Sequence, residues 1–111
     1  MMIKIPLKPL SVNKAWQGRR FKSSYYKQFE KDISKLLPRA RKTMKEEIEI
    51  HYTFYLKNYK LSDVDNLIKP LQDQLVAKGY FKDDRQIVFL TAEKIKSIED
   101  KIEVEIISYE E

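Results

Sequence analysis

The sequence predicts a small mixed α/β domain of the α+β kind, with a mixed sheet of about four strands and two helices in the order β-α-β-α-β-β. Three observations carry this. Short stretches alternate apolar and polar residues at the two-residue period of a half-buried strand. Two others place apolar residues at three- and four-residue steps. No repeat, low-complexity tract or Pro/Gly/Ser linker divides the 111 residues, so residues 1–111 form one domain.

Met2 to Leu7 sets Ile3, Ile5 and Leu7 against Lys4 as a short strand, and Pro6 places it at an edge or a strand end. Lys8 to Ser23 has no sustained period and is predicted to be a long functional loop. Ser23 or Ser24 then caps a helix whose apolar positions are Tyr25, Phe29, Ile33, Leu36 and Leu37, and which stops near Pro38. Glu47 to Leu56 is the clearest strand, with Ile48, Ile50, Tyr52, Phe54 and Leu56 on one face. A second helix begins near Ser62 or Asp63, carries Val64, Leu67, Ile68, Leu71 and Leu75 on one face, and ends at Gly79. Pro70 is cheap only in a first turn, so this helix must start later than Asp63 or bend at its beginning. Ile87 to Lys96 and Lys101 to Ser108 are the last two strands, and the polar link Ser97 to Asp100 suits a hairpin between them.

Composition narrows the chemistry. The chain has no cysteine and one histidine, which excludes disulfides, thiolate chemistry and His-rich zinc centres. Two glycines are too few for a phosphate-binding Gly-rich loop, so no nucleotide cofactor is expected. No apolar run approaches the roughly 18 residues of a membrane helix and no signal-peptide pattern is present, so no membrane partner and a cytoplasmic location are expected. The net charge of +5 conceals a division. Residues 1–45 hold thirteen Lys/Arg against two acids, a balance of +11, whereas residues 46–111 hold nine Lys/Arg against fifteen acids, a balance of −6. One half can attract a polyanion such as nucleic acid, and the other can collect divalent cations.

The acids that stand out are Asp63 and Asp65 at the entry to the second helix, and Asp83 and Asp84 in the connection after Gly79. Aspartates at helix starts and turns also serve as caps, and for either pair alone that structural role is the simpler one. Four together, in a chain with no other catalytic equipment, point to a hard cation held by carboxylates and substrate phosphate. Lys69 follows Asp65 by four residues and so lies on the same helix face, either as an ordinary surface ion pair or facing a phosphate. His51 stands alone on the polar face of its strand and is read as a surface or interface residue.

The stretch SDVDNLIKPLQDQLVAKGYFKDDRQI, together with PLSVNKAW and FKSSYYKQFEKDI nearer the amino terminus, resembles the RusA-type Holliday-junction resolvases. The resemblance implies an endodeoxyribonuclease that resolves four-way DNA junctions by paired, symmetric phosphodiester hydrolysis in recombination and repair. It implies Mg²⁺ dependence, with Mn²⁺ able to substitute, and a symmetric homodimer. On this likeness Asp63, Asp65 and Asp84 are metal-binding and catalytic carboxylates, Lys69 is the essential basic residue, and Asp83 is an auxiliary metal-binding acid. Some relatives carry an arginine-rich run before the first aspartate, where this chain has Lys60, Leu61 and Ser62. Lys60 and the loop residues Lys14, Arg19, Arg20 and Lys22 are the expected DNA contacts. Trp16 and Phe21 either stack on bases or anchor that loop on the core. The rival function is a non-catalytic DNA-binding module whose acidic cluster is structural.

The sequence also poses a problem of reach. A helix from Asp65 to Lys78 is roughly 21 Å long, and five extended residues after it recover only about 17 Å. Either Asp84 is supplied across a dimer interface, or the helix is shortened or bent near Pro70.

Overall fold

The computed structural model describes residues 1–18, 21–60 and 62–110. Its main element is a four-stranded sheet of β1 (Met2–Ile5), β4 (Ile48–Leu56), β5 (Ile87–Lys96) and β6 (Lys101–Ser108), in the spatial order β1-β6-β4-β5. β6 is antiparallel to β1 and β4, and β4 is parallel to β5, so the sheet is mixed as expected. The nine residues of β4 alternate without a break between buried and half-buried. Ile48, Ile50, Tyr52, Phe54 and Leu56 form the floor of the core, joined from β6 by Ile102, Val104 and Ile106.

Two helices complete that core: α2 (Ser24–Leu36) and α3 (Ile68–Ala77). The Ser23 hydroxyl accepts from the Tyr26 amide at 3.2 Å and caps α2 as predicted. The buried stripe of α2 is Tyr26, Phe29, Ile33 and Leu37, with Tyr25 and Leu36 left exposed. Tyr25 and Tyr26 are adjacent and either fits a three- or four-residue step to Phe29, so periodicity alone does not choose between them.

The second helix is shorter than its apolar pattern. Val64–Leu67 forms a 3₁₀ turn and regular α-helix begins only at Ile68, which places Pro70 in the first turn of α3, where its missing N–H is not needed. Gly79 at φ +81° closes α3 with the Gly79 amide donating to the Val76 carbonyl at 2.9 Å and the Tyr80 amide to the Leu75 carbonyl at 3.0 Å, the paired bonds of a Schellman motif.

Two expectations are corrected. The segment Lys8 to Ser23 is not an unstructured loop among the described residues. It holds a four-residue helix α1 (Val12–Ala15), capped by the Ser11 hydroxyl, and a small hairpin of β2 (Trp16–Gln17) and β3 (Phe21–Lys22). The last two strands are also not a hairpin. β4 lies between them, and the Ser97–Asp100 link passes over its end, with the Ser97 amide donating to the Leu56 carbonyl at 2.9 Å and the Lys57 amide to the Asp100 carboxylate at 2.8 Å. Alternation marks a strand but not its neighbour. No helix among the described residues is long and apolar enough to cross a membrane.

A methyl group at Gly79 would meet Thr43 Oγ1 at an ordinary 3.5 Å, so the cost of Gly79→Ala is backbone strain alone. The expected loss is about 1–2 kcal/mol of stability, seen as a lower urea midpoint with an unchanged m-value.

Candidate active site

The crossover from β4 to the parallel strand β5 runs through the 3₁₀ turn, α3 and a second 3₁₀ turn at Asp84–Gln86, so both acidic pairs lie on one βαβ connection. Asp63 is the residue before the first turn and makes no capping bond with its side chain. Asp63 and Asp65 are exposed, and neither carboxylate has a hydrogen-bond or ion-pair partner among the described residues. The capping role that would explain Asp63 structurally is therefore not filled by its side chain.

Asp83 behaves in the opposite way. Its carboxylate accepts from the Arg85 amide at 2.9 Å, and Arg85 Nη2 lies 3.2 Å from Oδ2. These bonds, the backbone amide first and the guanidinium next, hold its carboxyl below the usual carboxylate range. Gln86 completes the turn with four hydrogen bonds. Its Oε1 accepts from the amides of Lys82 and Asp83 at 2.8 and 2.9 Å, and its Nε2 donates to the carbonyls of Met44 and Glu46 at 2.9 and 2.8 Å. Gln86 thus ties the turn that carries Asp84 to the approach to β4. The spacing Asp83-x-x-Gln86 is that of a capping box, a signal present in the sequence and not used there.

Lys69 and Asp84 meet within one chain. The Lys69 ammonium lies 3.0 Å from Asp84 Oδ2 and 2.9 Å from Asp73 Oδ1. Asp73 first and Asp84 next raise the Lys69 pKa above its ordinary value. Asp73 enters the site one helical turn beyond Lys69 as its i,i+4 partner. Beneath these residues, Tyr52 is buried and its hydroxyl donates to Gln72 Oε1 at 2.8 Å. Burial, then the charges of Asp73 and Asp84, push its pKa far up, so it stays a neutral donor and not a nucleophile.

Among the described residues no three acidic side chains lie close enough together to hold an ion. Asp63 and Asp65 stand at the start of the helix, while Lys69 reaches along it to Asp73 and Asp84. The uncommitted oxygens of Asp63 and Asp65 nevertheless fit a hard cation, which is commonly held by one or two carboxylates with phosphate and water filling the remaining positions.

The basic amino-terminal segment is docked beside this site. α1 packs against the first 3₁₀ turn as well as α2 and α3, and the Ser62 hydroxyl donates to the Ser11 hydroxyl at 3.1 Å. A cleft of about 440 Å³ is lined by Asn13, Lys60, Ser62, Asp63, Asn66 and Lys94. Lys60 is therefore beside Asp63, and Lys14 is on the adjoining helix. Lys94 braces the segment before Asp63 by donating to the Tyr59 and Ser62 carbonyls at 3.0 and 2.8 Å. Its signal in the sequence is a charged residue in register with Phe54, on the core side of a strand.

The remaining DNA candidates divide. Trp16 packs edge-on against Tyr26 with centroids 5.5 Å apart and is half-exposed, whereas Phe21 is 71% exposed and anchors nothing. Lys22 is engaged by Glu30 at 2.9 Å. Arg19 and Arg20 lie outside the described residues. His51 sits on the open face of the sheet between Glu49, at 2.6 Å, and Thr91, at 2.5 Å, away from the acidic cluster.

Two comparisons bear on this arrangement. A family model described as Endodeoxyribonuclease RusA matches residues 6–107. The chain is also 48% identical over 44 residues to a protein of Lactococcus phage r1t named crossover junction endodeoxyribonuclease rusA, a match covering 40% of this chain and 34% of that protein. The chain thus matches about a third of the length of that curated relative.

The different commitments of the acids separate their roles. Asn caps as well as Asp, so Asp83→Asn is expected to keep stability and function close to those of the parent. Asp83→Ala is expected to lose about 1 kcal/mol, measured as a fall in melting temperature.

Proposed function

Because the chain belongs to the RusA family of endodeoxyribonucleases, we propose that it resolves four-way DNA junctions by hydrolysing one phosphodiester in each of two symmetry-related strands, in recombination and repair. The observation that carries this reading is the pair of uncommitted carboxylates, Asp63 and Asp65, one turn from a lysine and bordered by a basic segment folded against them. A purely DNA-binding module has no use for negative charge free of partners at its DNA-facing side. A divalent cation, Mg²⁺ with Mn²⁺ as a substitute, would be held by Asp63 and Asp65, and when bound it supplies Lewis-acid polarisation of a phosphoryl oxygen and a more acidic water.

The chain's own groups do the rest. Lys60, in the Asp63 cleft, and Lys14, on the adjoining helix, hold backbone phosphates, and these contacts carry the salt dependence of binding. Lys69 stabilises the negative charge that builds on the phosphoryl oxygens as the bond to the leaving oxygen breaks. Its contacts with Asp73 and Asp84 are exposed pairs, each worth about 0–1 kcal/mol, so turning the ammonium toward a phosphate costs little. Asp73 and Asp84 together hold that ammonium in its charged form, and Gln86 keeps Asp84 in place.

Paired cutting calls for two copies. β5 is an edge strand, and Val88, Phe89 and Leu90 in its first half are 44%, 49% and 40% exposed, while its second half is covered by the segment that Lys94 braces. An exposed apolar edge of this kind is suited to pairing with its own symmetry mate, and we assign the homodimer contact to it. Leu90→Arg is expected to turn the dimer into a monomer by light scattering. The assignment fails if the variant remains dimeric at the parent's concentration.

Asp63→Asn and Asp65→Asn are each expected to reduce cutting of a synthetic four-way junction at least about 100-fold while leaving junction binding intact or tighter. Parent protein that binds junctions yet cuts none with Mg²⁺ or Mn²⁺ would favour the binding-module reading instead. Since Lys69 and Asp84 meet within one chain, mixing Asp65→Asn with Asp84→Asn subunits is expected to restore nothing.

A further inference from the structure

The amino-terminal segment and α2 line a second cleft, of about 420 Å³. Its apolar lining comes from Leu7, Leu10 and Phe29, and its rim carries Tyr25, a residue that the helical pattern would bury and that is instead 60% exposed. The Lys14 ammonium lies 5.6 Å from the centre of the Tyr25 ring. Gln28 and Asp32 add hydrogen-bonding groups, with Gln28 Nε2 donating to Asp32 Oδ1 at 3.0 Å. Asn13 lines both this cleft and the one that contains Asp63, so the two adjoin at that residue.

We propose that this cleft receives one unpaired nucleobase from the branch point of the DNA substrate, stacked on Tyr25, while the phosphate of the same nucleotide is held by Lys14. The proposal rests on the nuclease reading above. Four features select this occupant. A nucleobase is flat and apolar on its faces and polar at its edge, which matches an apolar lining with an aromatic wall and a few amide and carboxylate groups. The volume falls in the range of about 300–1,000 Å³ typical of small-ligand sites. Charge sorts the nucleotide: Lys8 and Lys14 attract its phosphate, and Asp32 repels the phosphate from its own part of the lining. Finally, a strand whose phosphate lies at Asp63 has only to pass Asn13 to reach the cleft, and bases at a branch point cost least to unstack.

The test uses the full chain as Asp65→Asn, which prevents cutting, and junctions carrying 2-aminopurine or an abasic site at successive nucleotides beside the branch point. At one position, binding is expected to raise the 2-aminopurine emission as the base leaves its stack, and the abasic site is expected to weaken binding by about 10-fold. Adding Tyr25→Ala or Gln28→Leu should erase that difference between normal and abasic junctions, and Tyr25→Phe should restore it. Circular dichroism melts guard against misfolding of the exposed-site variants. Equal sensitivity to the abasic site in the Asp65→Asn protein with and without Tyr25→Ala or Gln28→Leu overturns the base site, and cutting of the same junctions by the chain with Asp65 intact, assayed alongside with Mg²⁺, leaves the nuclease reading standing. Failure of the parent to bind junctions at all overturns both.

Discussion

The distance the chain must cover between Asp65 and Asp84 governs this molecule. The two residues belong to one crossover between parallel strands, and a helix running straight from the first would carry the second out of reach. Pro70 prevents that. Regular helix cannot extend far before a proline, so α3 starts at Ile68 and spans ten residues, about 15 Å, and the Schellman turn at Gly79 reverses the chain at once. Lys69, in the first turn of that helix, reaches Asp84 beyond its far end, while Asp63 and Asp65 stay at the start of the crossover. The helix, its proline, its terminal glycine and its lysine therefore form one device that brings Asp84 back to the helix.

That device leaves the acids unequally employed. Asp83 is consumed by the turn, as the cap of a 3₁₀ helix whose Gln86 is bonded on all sides. Asp84 and Asp73 are held by Lys69. Of the four aspartates singled out in the sequence, Asp63 and Asp65 make no side-chain hydrogen bond or ion pair with the described residues. A cluster that looks uniform in one dimension is thus a structural cap, an ammonium clamp and an open pair. The open pair lies beside the folded basic segment, where attraction for phosphate and attraction for a cation reinforce each other across the short distance spanned by α1. Electrostatic segregation along the chain becomes juxtaposition in space because Ser11, Ser62 and the packing of α1 bring the amino terminus to the start of the crossover.

The order of elements, the alternating strand of β4, the Ser23 cap, the glycine closure of α3 and the charge division were all legible in the 111 residues, since each depends on neighbours within a turn or two. The family likeness also marked Lys69 and Asp84, which the fold brings together. What could not be read was anything set by partners remote in the chain. β5 and β6 alternate like a hairpin, yet β4 lies between them, because period two marks a face and says nothing of the adjoining strand. Tyr25 and Tyr26 are equivalent to a periodicity argument, and only the packing of α2 on the sheet buried one and left the other on a cleft. Asp83 differs from Asp84 by one position, and the hydrogen bonds of Gln86 to Met44 and Glu46, about forty residues away, settle which of them faces Lys69. Local conformation follows from local sequence, whereas the roles of these side chains follow from contacts whose formation requires the whole core to close.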